Sequence, residues 1–279
     1  MYRPHRAPSA TTRSFSGRVR AQARAYGPAL LVYVALIVVW EAASRAGAIP
    51  RYFLPAPSEI AARVATQPGL LAQNALVTLE EVLGGFALGV LVSIPLGLAI
   101  ASSRPVERLV YPLLVAFQAV PKVALAPIVI VWFGFGPSSK IMLGFVTAMF
   151  PIVINTVVGL RRTPPEMVHL MRSLGASPWQ TFAKIRIYAA APAIFAGCKV
   201  GITLAVVGAV VGEFIGANKG LGTMLLAANN AFDTPMLFGV VILLSLISVA
   251  LFWLVELVER IVLPAPLRRT GDAAIGSGA

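Results

Sequence analysis

Cysteine is almost missing from this 279-residue chain, and acidic side chains are scarce. The single thiol, Cys198, sits in an apolar run and reads as a small buried residue, which excludes an internal disulfide framework and any cysteine-based zinc site. Histidine is limited to His5 and His169. No G-x-x-x-x-G-K-[ST] phosphate loop, H-E-x-x-H helix or G-x-S-x-G elbow occurs, so nucleotide hydrolysis and the common hydrolytic and metal chemistries lack their parts. No catalytic residue, metal ligand or cofactor is therefore expected, and the chain does not read as an enzyme.

Apolar residues are abundant. They make up 58% of the chain against 12% charged, with a mean hydropathy of +0.83, far from the balance of a soluble globular domain. The chain reads as an integral membrane protein. Runs long enough to cross about 30 Å of hydrocarbon fall near 28–46, 76–102, 109–133, 138–160, 189–215 and 236–262. Glu41 interrupts the first; Pro121, Lys122 and Pro127 interrupt the third, where a bend or re-entrant entry is expected. The fold class is all-α, a polytopic bundle of about six transmembrane helices. It forms one membrane domain over 28–264, flanked by a basic tail (1–27) and a second tail (265–279), both expected to be disordered.

The net charge of +12 invites a nucleic-acid reading, but the cations are dispersed along membrane flanks without an interleaved aromatic platform. No nucleic-acid partner is expected. Arg3, Arg6, Arg13, Arg18, Arg20 and Arg24, then Arg104 and Arg108, then Arg161, Arg162, Arg172, Lys184 and Arg186, then Arg260, Arg268 and Arg269 all fall on one side of a six-span topology. That side is the cytoplasm by the positive-inside rule, which makes both termini cytoplasmic. The opposite loops hold chiefly Arg51, Arg63, Lys140 and Lys219. Between the first two runs, Pro57 and Ser58 open a short amphipathic helix suited to the outer interface.

One cytoplasmic stretch, 161–188, is helix-forming rather than apolar. Thr163 with Glu166 reads as a capping box with Pro164 at the first helical position. Met167, Leu170, Met171 and Leu174 form one apolar stripe, and Gly175 is the left-handed stop. Ser177, Pro178 and Gln180 then start a second helix carrying Trp179, Phe182 and Ile185 among Lys184 and Arg186. Helix, glycine corner, helix makes a shaped knob suited to a groove on a partner; a plain loop or a lipid-surface helix is the alternative.

Within the spans, Gly85, Gly89, Ser93 and Gly97 mark one small-residue face, and Gly197, Gly201, Ala205 and Ala209 another, which suits close packing within the chain or against a second copy. Glu80, Glu81, Lys122, Lys199, Glu213 and Glu256 are ionisable groups at or near membrane depth. Most lie close enough to span ends for snorkelling. Lys122, Lys199 and Glu213 are the candidates for a transport path; in a secondary carrier Glu80, Glu81, Glu213 or Lys199 would bind the coupling ion. A multispan chain with a docking knob and no energy-converting site points instead to transport driven by a soluble motor.

LGASPWQTF at 174–182 resembles the "EAA" loop of bacterial ATP-binding cassette importer permeases. FLPAPSEI at 53–60, VPKVALAPIVIVWFGFGPSSK at 120–140, FPIVINT at 150–156 and VVGEFIGANKGLGTML at 210–225 are similar to the nitrate, sulfonate and taurine group of that family. The resemblance covers residues 30–264. It implies ATPase coupling through Glu166, His169, Leu170, Met171, Leu174, Gly175, Ala176, Ser177, Trp179, Phe182 and Ile185. His169, Leu170 and Met171 stand in the places of Glu-Ala-Ala, and Tyr188 where proline is common, so Glu166 one turn earlier takes the acidic role. Implied partners are cytoplasmic ATPase subunits, an extracytoplasmic solute-binding protein, a second permease copy and membrane lipid. The implied solute is an organic anion such as an aliphatic sulfonate, taurine or nitrate, or alternatively a pyrimidine or vitamin precursor.

Overall fold

A computed structural model describes residues 31–47, 50 and 52–263. The expected tails, 1–27 and 265–279, and the start of the first apolar run lie outside the described residues. All regular structure among the described residues is helical. The chain divides into two compact units, up to Ala62 and from Arg63 onward.

In the first unit, α1 (31–45) leads to α2 (Pro57–Val64). Glu41 is tied down rather than left in hydrocarbon. Its carboxylate accepts the Ser58 N–H at 3.0 Å and hydroxyl at 2.6 Å, capping α2, and pairs with Arg45 at 2.5 Å. Trp40 Nε1 donates to the Pro55 carbonyl and Ser44 to that of Leu54, so the FLPAP segment folds back along the end of α1.

The second unit contains α3 (Pro68–Ser102), α4 (Arg104–Ala119), α5 (Lys122–Phe133), α6 (Pro137–Arg161), α7 (Pro165–Ser173), α8 (Pro178–Thr181), α9 (Ile187–Gly216), α10 (Leu221–Asn230) and α11 (Thr234–Val262). A π-helical turn, Phe182–Arg186, joins α8 to α9 without a break. By length and composition, α3, α6, the α8–α9 rod and α11 can each cross a membrane. The third expected span is broken: α4 and α5 meet at 100°, at the Val120–Pro121 step. Proline lacks an N–H and holds the residue before it extended, so the helix cannot run through.

α6 is the centre, packed on α9 and α3. The small-residue faces explain how closely. A Cβ at Gly85 would stand 2.8 Å from the Ile141 carbonyl and 2.9 Å from the Phe145 nitrogen, and one at Gly197 would stand 2.9 Å from the Pro151 carbonyl. Both glycine faces are thus consumed by packing within the chain, around Val82, Ala148, Ile152, Ile202, Ala205 and Ala209.

Candidate functional site: a helical knob and a buried polar latch

The knob follows from local sequence with one correction. Thr163 makes no capping box. Its hydroxyl donates back to the Leu160 carbonyl at 3.0 Å, Pro164 is the N-cap with ψ 128°, and Pro165 is the first helical residue. Each residue before a proline is pushed to extended backbone, so two prolines in series hold both Thr163 and Pro164 out of the helix. The glycine corner forms as expected. Gly175 has φ +74°, its N–H donates to Arg172, and the Ala176 N–H donates to Met171, the paired bonds of a Schellman stop. The second start is a complete capping box: Gln180 N–H to Ser177 Oγ at 3.2 Å, and Ser177 N–H to Gln180 Oε1 at 2.9 Å.

What the knob presents is apolar. Leu174 is 73% exposed, Trp179 72%, Leu170 60% and Met167 49%. The Trp179 and Phe182 rings stack with centroids 5.8 Å apart. Glu166 and His169 are exposed beside them, whereas Met171, Ala176, Phe182 and Ile185 are half-buried. Beneath the corner lies a cavity of about 620 Å³ whose lining includes Ser102, Val168, Arg172, Trp179 and Phe182.

At the other end of α9, about seven turns and roughly 40 Å from the knob, polar side chains converge inside the bundle. The first N–H groups around the start of α10 have no helical partners of their own. Gly220 N–H donates to Asn74 Oδ1 at 2.7 Å, Leu221 N–H to Thr78 Oγ1 at 2.9 Å, and Gly222 N–H to Glu213 Oε2. The Thr78 hydroxyl donates to Glu213 Oε1 at 2.6 Å, joining α3 to α9. Glu81 lies against Glu213, and Lys140 is beside both. Thr78, Glu81, Lys140 and Glu213 are all at least 97% buried.

The three path candidates therefore differ. Glu213 belongs to this latch. Lys199 is engaged with α11: its ammonium pairs with Glu256 and, at 2.5 Å, with Glu259, and lies 5.9 Å from the Phe252 ring centre. Lys122 opens α5 at the 100° break, half-buried. Lys140 is not the loop cation the sequence suggests. It sits in the first turn of α6, with Nζ donating to the carbonyls of Phe135, Gly136 and Gly216. Glu81 and Glu213 do not snorkel to an interface either. Sequence reasoning had both glutamates but not their meeting, and it missed Asn74, Thr78 and Glu259. Asn74, Thr78 and Glu81, at i, i+4 and i+7 in an apolar helix, were the available signal.

Comparison with known proteins identifies the family. Residues 93–264 match the family described as "Binding-protein-dependent transport system inner membrane component". The chain is 39% identical over 251 residues to the riboflavin transport system permease protein RibX of Chloroflexus aurantiacus, covering 88% of this chain and 94% of that one. It is 36% identical to the formylaminopyrimidine transport permease protein ThiX of Halalkalibacterium halodurans, over 84% and 94% of the two chains. With the putative aliphatic sulfonates transport permease protein SsuC of Escherichia coli it shares 32%, over 82% and 88%. In solved structures, a chain of the inward-facing MetNI methionine ABC transporter matches with TM-score 0.64 at 20% identity, over 71% of this chain and 99% of that chain, which shows a shared fold. The chain belongs to the inner-membrane component family of binding-protein-dependent transport systems.

Proposed function

We propose that this chain forms the translocation path of an ATP-binding cassette importer, working as a homodimer with two cytoplasmic ATPase subunits and receiving its solute from an extracytoplasmic binding protein. The supporting observation is the knob: four large apolar side chains stand at least 49% exposed on two well-capped helices, a shape suited to a groove. The knob continues through a π-helical turn into the 39-residue rod Pro178–Gly216, so a push on Trp179 is delivered to a span and not dissipated in a loop. Closure of the motors on ATP would move the knobs as rigid bodies and rearrange α9 against α6. ATP is hydrolysed in the partner, and this chain supplies no catalytic group. Glu166, exposed in the first turn of α7, is the acidic contact to the motor. Both termini and 161–188 face the cytoplasm in this reading, and 28–264 acts as one transport domain.

The solute is a small organic or inorganic anion, an aliphatic sulfonate, taurine or nitrate, by similarity to SsuC. A second reading, a pyrimidine or vitamin precursor, is favoured by the higher identities to RibX and ThiX. Liposomes holding this chain with its ATPase and binding protein test both. ATP-driven uptake that persists when ion gradients are collapsed supports the importer; gradient-dependent uptake by this chain alone contradicts it and makes it a secondary carrier. Competition between taurine and riboflavin for that uptake separates the solute classes.

A further inference from the structure

The latch has a donor missing from its own side chains. Oε2 of Glu81 is buried, the residue is 3% exposed, and no donor among the described residues reaches that oxygen. Its neighbour Glu213 is 1% exposed and already accepts from Thr78 and from the start of α10. Lys140 is the cation facing the pair, but an ammonium has three hydrogens, and all three go to the carbonyls of Phe135, Gly136 and Gly216. On α3, Glu80 is exposed and adds a further negative charge near Glu81; Lys219, in the turn before α10, is exposed too, and α10 presents only its N–H groups. Two carboxylates in contact cannot both ionise in so dry a place, and a single cation leaves the cluster one positive charge short of neutral.

We propose that Glu81 and Glu213 form a binding site for one proton, carried on Glu81 and donated to Glu213, and that α10 is held to α3 and α9 only while this proton is bound. The bound proton supplies the absent donor and brings the cluster, with Lys140, to neutrality. It leaves the Glu213 carboxylate free to hold the first turn of α10. Removing it sets two negative charges in contact, and the yielding element is α10, whose start is attached by three side-chain bonds and which links α9 to α11. The protonated form stabilises, so its contribution is complete at low pH and is lost as pH rises through the titration of the pair.

Infrared spectroscopy on the full-length protein in lipid reads this directly. A protonated-carboxyl C=O band at neutral pH, shifted in deuterium oxide and absent from Glu81→Gln, is the expected result. The amide of Glu81→Gln still donates to Glu213, so the variant keeps the neutral-pH melting temperature. Between neutral and alkaline pH the wild type drops by a few degrees while the variant stays level. An unchanged band in Glu81→Gln, or the same alkaline drop, overturns the inference. Stabilisation of the wild type by sodium over choline, lost in Glu81→Gln, also overturns it, because the site then takes a metal cation. If Glu81→Gln does not fold, Glu213→Gln decides: retention of the band and of the alkaline drop is equally fatal. No readout involves transport or an ATPase, so this inference and the importer reading fail independently.

Discussion

The core formed by α3, α6 and α9 and the knob formed by α7 and α8 are built by opposite rules. In the core, side chains are stripped to glycine, alanine and threonine until backbones touch, and the hydroxyls of Thr78 and Thr147 are spent on another helix. In the knob, backbone groups are satisfied locally by caps, and the large side chains are left outward. Without a hydrophobic force between helices in lipid, close contact and hydrogen bonds must hold the core. In the importer reading the knob faces water, where exposed Leu174 and Trp179 gain by meeting a partner. Core changes should therefore damage the fold, and knob changes should damage association and spare the fold.

Gly85→Leu should have the largest effect. It forces a side chain into backbone only 2.8 Å away and should cost at least ~3 kcal/mol, read as loss of a monodisperse melting species in detergent. Glu213→Ala comes next. It strands the Gly222 N–H and leaves the Thr78 hydroxyl only the Asn74 carbonyl at 3.2 Å, and a loss of about 2 to 3 kcal/mol is expected, with new protease cutting near α10. Lys199→Met should cost roughly 2 kcal/mol by leaving Glu256 and Glu259 together. Adding Glu256→Gln and Glu259→Gln should restore most of the melting temperature. If the triple variant is also fully active in uptake, Lys199 is a helix clamp and not a path residue.

A smaller effect runs the other way. At the end of α10 a Schellman stop forms with phenylalanine in the left-handed position: Phe232 has φ +54°, with its N–H on Asn229 and the Asp233 N–H on Ala228. Its side chain is 90% exposed. Phe232→Gly should relieve that conformation and gain about 1 kcal/mol in thermal melting.

These two regions were not equally legible in the sequence. The knob was nearly so, because caps and stops act over three or four residues: Gly175 and the Ser177–Gln180 box fall where local rules put them. Only the doubled proline at 164 and 165 moved the start. The core helices were legible as apolar runs, and their glycine stripes as contact faces. Extended ends, such as α3 beginning at Pro68 and not near Leu76, were missed because the first turns are polar enough to leave an apolar run while still helical. The latch was hidden because its parts are far apart in the chain. Thr78 and Glu213 are separated by 135 positions, and Lys140 resembled a loop cation next to Gly136 and Pro137 until its three carbonyl partners were placed around it.

The most direct test is purification of the chain with its ATPase subunit, comparing the wild type with Trp179→Ala and Leu174→Ala. Both side chains are over 70% exposed, so melting should stay within about 0.5 kcal/mol of the wild type. Loss of the ATPase from variants that melt normally is the predicted result. Variants that keep the ATPase bound and transport at the wild-type rate would contradict the claim that this knob is where the motor acts.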